Sequence, residues 1–275
     1  MKNIRYKILV LSDLKKSTAT MLKSTVSLAK MIGGDISLFH VKNPSDLVKK
    51  ESQLSAIRSM NHEHTAMNKK IQKLASSFSE EYGTKMNCSF TFGHIKNEIE
   101  AHIKQEQPDI IILGKKKSRS FDFIGDNITQ FVLKQYNGVV MIVDENNTIK
   151  PSEDLSLGLF NSEENKLNIN FADVLVSNMK KPLKSFKVNQ NNPAAETKNT
   201  SLDKKVIEYV FEKGDVSLKN LSNYLVKNKI NLLHVDRADK STSDSKEITT
   251  VTFDIKDIIS NLNVSLLLTG TSKFA

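Results

Sequence analysis

The sequence predicts an α/β protein built of two tandem open parallel-sheet domains. Three observations carry that expectation. Short apolar runs alternate with helical periodicity through the first half, the pattern of parallel strands joined by crossover helices. The second half repeats the order in weaker form. The length, 275 residues, suits two domains of roughly 130 to 150 residues, each able to bury its own core.

The elements follow in order. Tyr6–Ser12 (YKILVLS) is an apolar run of the kind a strand buried on both faces shows. Lys16–Met31 carries Met21, Leu22, Val26, Leu28 and Ala29 at helical spacing, and Gly33-Gly34 ends it. Ile36–Val41 (ISLFHV) is a second strand. From Pro44 to Tyr82 the periodicity is helical, with Leu54, Ile57, Met67, Ile71 and Phe78 on the apolar face and Gly83 closing it. Lys85–Phe92 alternates as a third strand. Lys96–Gln105 is a helix, Pro108–Gly114 (PDIIILG) a fourth strand, Asp126–Tyr136 a helix and Val139–Val143 a fifth strand. The result is a five-stranded parallel sheet with helices on both faces, Rossmann-like or flavodoxin-like. Ligands bind such sheets at the carboxyl ends of the strands, where the strand order switches.

Asp144–Asp154 (DENNTIKPSED) is polar and contains a proline, so it reads as a linker between domains at 1–146 and 153–275. Beyond it, Leu155–Phe160 reads as a strand, Asn165–Met179 as a helix and Leu183–Val188 as a strand. Asn189–Thr200 reads as a loop, Leu202–Lys213 and Leu218–Lys227 as helices and Asn231–Asp236 as a strand. Ile255–Leu262 and Val264–Leu268 close the pattern. The third strand of this half is not legible: Asp215–Ser217 is too short, and Ile248–Phe253 reads as a further candidate. The halves align best near their ends, PDIIILG against INLLHVD and QYNGVVMIV against NLNVSLLL.

Composition narrows the function classes. Hydrophobic residues are 39% and charged residues 26%, ordinary for a globular protein. Cys88 is the single cysteine, which excludes an intramolecular disulfide, and no Cys/His cluster has zinc spacing. The apolar stretch Ile8–Leu11 is too short for a signal-peptide core, and no run of about 18 apolar residues occurs, so a cytoplasmic protein without membrane attachment is expected. The net charge is +9, with 22 Lys/Arg against 15 Asp/Glu up to Thr148 and 18 against 16 beyond it. The excess in the first half reads as a lysine-rich solvated surface or an anion-binding face.

The apolar first strand ending in Asp13, the helix running from Ser17 to Leu28-Ala29, and LFHV ending in Val41 form one set of features. The stretch TFGHIKNEIEAHIKQEQPDIIILG and then Gly125-Asp126-Asn127 before VVMIV form another. In this order they resemble the universal stress protein family. The resemblance covers Lys7 to Val143 well and Leu155 to Leu268 in outline. It implies an adenine nucleotide alpha hydrolase-like fold, with the two copies paired as an internal pseudo-dimer, as the family's strand-edge dimers pair separate chains. Further homodimerisation is also in keeping.

In the family's ATP-binding branch an Asp after the first strand contacts the nucleotide, and a valine after the second lies against adenine. Asp13 and Val41 occupy those places. Phosphates sit in a loop of pattern G-x2-G-x9-G-S/T, whose glycines let backbone amides approach and whose last glycine opens a helix. In this chain Gly114 matches the first glycine and Gly125 the third. Lys117 stands at the second, seven residues separate it from Gly125 instead of nine, and Asp126, followed by Asn127, replaces the hydroxyl residue. A carboxylate there repels a triphosphate, while Lys115, Lys116, Lys117 and Arg119 could hold an anion by side chains. Asp13, Val41, Gly114, Lys117, Gly125, Asp126 and Asn127 therefore form a degenerate nucleotide site. In the second half Asn161 aligns with Asp13 and Asp236 with Gly114, and the loop Arg237–Ile248 has no glycine. No nucleotide is expected there.

Other features have plainer readings. His62 and His64 stand two apart on a helix and do not share a face, which argues against a metal site. His40 lies near the crevice as a possible ligand contact, and His234 reads as a packed strand residue. Cys88 reads as buried and inert. Asp122 and Asp126 sit in a lysine-rich loop, where Asp126 reads as a helix cap. No nucleophile has a placed base, and the basic loop lacks the aromatic interleaving of nucleic-acid binders. The expected function is a non-catalytic stress-response or regulatory protein with ATP or AMP as the candidate ligand. Weak ATP hydrolysis, or a pure protein-interaction scaffold, are the alternatives.

Overall fold

The computed structural model describes residues 5–44, 53–115, 127–150, 154–162, 167, 169–189, 206–212, 217–237 and 253–270. The chain divides into two compact units, Met1–Tyr136 and Asn137–Ala275.

In the first unit the strands are β1 (Tyr6–Leu11), β2 (Gly34–Lys42), β3 (Met86–Phe92) and β4 (Ile110–Gly114). The helices are α1 (Ser17–Ile32), α2 (Gln53–Tyr82), α3 (Ile95–Glu106) and α4 (Asn127–Gln135). The strands run in the order β3-β2-β1-β4, and every pairing is parallel. The chain leaves β1 toward β2 on one side and returns through α3 to β4 on the other, so the switch in order lies between β1 and β4. The core is the apolar run in each central strand: Val10, Ile110, Ile111 and Ile112 are wholly buried. Helix ends follow the glycines. Gly33, at φ +72°, donates its N–H to the Ala29 carbonyl and closes α1. Gly83, at φ +63°, donates to Ser79 at 2.9 Å and closes α2. The left-handed cap favours glycine because no Cβ is present to clash.

In the second unit the strands are β5 (Val139–Val143), β6 (Leu157–Phe160), β7 (Lys184–Asn189), β8 (Ile207–Glu212), β9 (Leu232–Asp236) and β10 (Ser265–Thr269). The helices are α5 (Ala172–Ser177), α6 (Ser217–Lys227) and α7 (Ile255–Asn261), the last capped by Asp254, whose side chain accepts from the Lys256 N–H. The order is β5-β10-β9-β6-β7-β8. All pairs are parallel except β5, which runs antiparallel to β10. Read as β8-β7-β6-β9, the strands repeat the order of the first unit.

That repeat corrects one expectation. In place of the helix expected over residues 202–213, Ile207–Glu212 forms β8, parallel to β7. It is the third strand that is not legible in the sequence. In the segment IEYVFE, Ile207, Tyr209 and Phe211 fall on one face and Glu208, Val210 and Glu212 on the other, and that period-two pattern fits a half-buried pleated surface better than a helix. Helix α5 is also shorter than expected. Phe171 precedes it with non-helical angles (φ −105°, ψ 19°), and Asn178 closes it by donating its side-chain amide to the Val174 carbonyl. The expected linker is structured over 144–150: Asp144 and Ile149 are buried, and the Asp144 N–H donates to Ser265 Oγ. The loop read at Asn189–Thr200 beyond residue 189, and the candidate strand Ile248–Phe253 up to residue 252, lie outside the described residues, and Phe253 is not in a strand.

Candidate functional site

A cavity of about 160 Å³ opens at the carboxyl ends of β1, β2 and β4, at the switch in strand order. Its walls are apolar: Met21, Phe39, Val41, Ile95, Ile99 and Ile128. Its polar groups are Asp13 and the hydroxyl residues Ser12, Ser17, Thr18 and Thr129, and Gly114 lines it where β4 ends. An apolar chamber with a few placed polar groups is the usual build of a small-molecule site, but typical sites are about 300–1,000 Å³.

Asp13 stands on a turn that the local sequence builds. Ser12 Oγ accepts from the Leu14 N–H at 3.0 Å and lies 2.8 Å from Thr18 Oγ1 on α1. Asp13 Oδ1 accepts from the Lys15 N–H at 3.1 Å, a short-range carboxylate turn. Leu14 is held at φ +55°, a left-handed conformation that costs a leucine about 1–2 kcal/mol. Behind the turn, the Ser12 N–H donates to the Phe39 carbonyl at 3.2 Å, and the Ser12 carbonyl accepts from His40 Nδ1 at 2.8 Å. Because a carbonyl only accepts, Nδ1 carries the proton. Burial lowers the His40 pKa, which favours the neutral ring with its proton on that nitrogen.

The structure thus brings Asp13, Val41 and Gly114 around one cavity. Lys117, Gly125 and Asp126 lie outside the described residues, as do Asp122 and Arg119. Asn127 begins α4, and its side chain also lies outside. His40 does not line the cavity. Strand alternation turns Phe39 and Val41 toward it and His40 to the opposite face. His62 is exposed on α2, and the exposed His64 ring packs 4.8 Å from Phe90. Cys88 is half-buried, and burial pushes its thiol up to about 11, which leaves it unreactive at neutral pH. His234 is fully buried on β9. Among the described residues no group of three metal-ligating side chains comes together.

Sequence reasoning missed Ser12, Ser17, Thr18 and Thr129 as cavity groups and missed the stacking of His102 on Phe39, 3.8 Å between centroids at 8°. A hydroxyl next to the Asp of a strand–helix turn was the available signal for Ser12.

A parallel α/β domain with a small crevice at its switch point, bounded by an aspartate after the first strand, is the class of protein that fold and site define. Residues 5–144 match the universal stress protein family, and the chain belongs to that family. Over nearly its whole length it is similar in fold to a universal stress protein from Archaeoglobus fulgidus. That likeness has 15% identity and a TM-score of 0.65, covering 97% of this chain and 98% of the other. It is similar also to a protein of unknown function from Pseudomonas aeruginosa, at 12% identity and a TM-score of 0.57, covering 97% and 93%. No curated protein matches the sequence. Among the described residues no helix is long and apolar enough to cross a membrane.

Proposed function

We propose that the protein is a regulatory member of its family that works by binding rather than catalysis. In this reading the crevice of the first unit takes the nucleoside portion of an adenine nucleotide such as ATP or AMP. The observation that carries it is the convergence of Asp13, Val41 and Gly114 on one apolar cavity. The carboxylate suits sugar hydroxyls, and the valine and its apolar neighbours suit a base. The non-catalytic part rests on the sequence: no nucleophile has a placed base, and the glycine pattern of the phosphate loop is broken at Lys117 and Asp126.

The test is a melting curve of the full chain with and without millimolar ATP or AMP. A ligand that binds only the folded form, at about 100 times its Kd, stabilises by about 2.7 kcal/mol. The expected result is an upward shift that Asp13→Ala removes, with no phosphate released from ATP. No shift with either nucleotide would sink the reading and favour a protein-interaction scaffold. Phosphate release would instead support a hydrolase.

A further inference from the structure

We propose that His40 is a positioning residue of this crevice, fixing the Ser12–Leu14 turn that presents Asp13 without itself meeting the ligand. The inference rests on the nucleotide reading only for what the turn is used for; the positioning itself is a property of the ligand-free chain.

Leu14 sits at φ +55°, and such a conformation persists only where surrounding bonds over-determine it. Ser12 supplies the bonds. Its hydroxyl meets Thr18 and the Leu14 N–H, its N–H meets Phe39 on β2, and its carbonyl meets His40. Two of these anchors come from consecutive residues of β2, so the turn after β1 is pinned to the neighbouring strand. The His40 bond is the one made by a side chain on the far face of the sheet. His40 is 7% exposed, which shields the bond from competing water. The charged groups around the ring are Lys70 from α2, Lys42 on β2 and Asp13 beyond β1. Burial is the main influence against a second proton; the two lysines add to it, while the Ser12 bond and Asp13 oppose it. Lys42 is itself paired with Glu63 of α2. His40 therefore acts as a neutral donor whose task is geometric.

Donor position separates this role from simple packing. The side-chain amide nitrogen of asparagine is attached to Cγ, as Nδ1 of histidine is, and can reach the same carbonyl. Leucine fills space and donates nothing. The experiment is residue-resolved amide hydrogen exchange on the full chain without ligand, comparing wild type, His40→Leu and His40→Asn. Leu14 and Lys15 report directly, because their N–H groups bond Ser12 Oγ and Asp13 Oδ1. His40→Leu is expected to speed exchange at these two amides about tenfold, the scale of one lost hydrogen bond. Amides of Val10 and Ile112 in the core should keep their rates, and His40→Asn should restore Leu14 and Lys15 to near wild type.

Unchanged rates at Leu14 and Lys15 in His40→Leu would overturn the proposal. So would uniform acceleration across the unit, or an Asn variant that behaves like Leu. Should the Leu variant fail to fold, His40→Gln gives the same readout, since its amide lies one bond further out and misses the carbonyl. Failure of ATP and AMP to raise the melting temperature would sink the nucleotide reading and leave this result standing.

Discussion

Gly158, in the middle of β6, shows how little space the core leaves around a single residue. A Cβ at that position would lie 2.6 Å from Phe186 and 2.9 Å from Leu233, both wholly buried. No left-handed backbone is involved, so the constraint is volume alone. Gly158→Ala should destabilise by about 1–3 kcal/mol through overpacking, read as a lower urea midpoint at unchanged slope. Because the clash is with the Phe186 ring, Phe186→Leu should relieve part of it. The double variant should then be more stable than the sum of the single changes by at least about 0.5 kcal/mol; strict additivity would count against this contact. His234, nearby on β9, makes a second prediction. Its Nε2 lies 3.1 Å from Thr269 Oγ1, which donates to Asp236 Oδ1 at 2.6 Å, and its Nδ1 is buried with no hydrogen-bond partner. Burial lowers its pKa from 6.5 although Asp236 pulls the other way. The unfolded chain therefore takes up the proton first as pH falls. Stability is held above about pH 6.5 and lost below it. His40 and His102, lowered for the same reason, add to the slope. The urea midpoint should fall between about pH 7.5 and pH 5.5, and His234→Leu should make the fall shallower. An unchanged slope would show that His234 takes up its proton as readily folded as unfolded.

At the scale of elements, β8 separates what sequence can and cannot say. The runs of β1, β4 and β5 are apolar enough to be read alone, because a strand buried on both faces leaves no other use for such residues. The segment IEYVFE is half-polar, and its identity depends on its neighbours. Tyr209 stacks on Phe186 of β7 at 5.5 Å and tilts against Tyr224 of α6 at 5.0 Å, and Glu208 pairs with Lys187 at 3.2 Å. Tertiary partners decide a pattern that local propensity leaves open. The same division runs through the site. Asp13, Val41 and Gly114 are legible through the family resemblance, which places contacts near the ends of the first, second and fourth strands. The link from His40 to Ser12 is not, because it depends on the parallel register that sets Leu11 against Phe39. The strand assignment has a test of sign. Val210→Ala would stabilise a helix by a few tenths of a kcal/mol but should destabilise a strand by up to about 1 kcal/mol. A lowered urea midpoint is expected, and a raised one would contradict β8.

At the scale of the whole molecule, β5 raises the question of where the second unit begins. The family match runs to residue 144 and so includes β5, whereas the chain divides after Tyr136 and groups β5 with the strands of the second unit. The contacts explain the grouping. Val140, Met141 and Ile142 face Leu268, Leu267 and Leu266 across an antiparallel ladder, and all six are buried. Asn147 donates its side-chain amide to the Ile230 carbonyl at 2.7 Å, and Ser265 Oγ donates to the Asn147 carbonyl at 3.0 Å. At Gly270 the backbone approaches Asn137 so closely that a Cβ would stand 1.9 Å from its carbonyl oxygen. Residues 137–147 are thus bonded along their length to β10 and the turns beside it. A fragment beginning at residue 137 keeps this edge paired. One beginning at residue 147 leaves the backbone of β10 open beside a row of leucines, the arrangement that invites strand addition from another copy. The 147–275 fragment should show a lower urea midpoint than the 137–275 fragment, because it has lost the ladder that pairs β10. Equal behaviour of the two would mean that β5 contributes nothing to the second unit, and that its ladder with β10 is a contact the unit can lose without consequence.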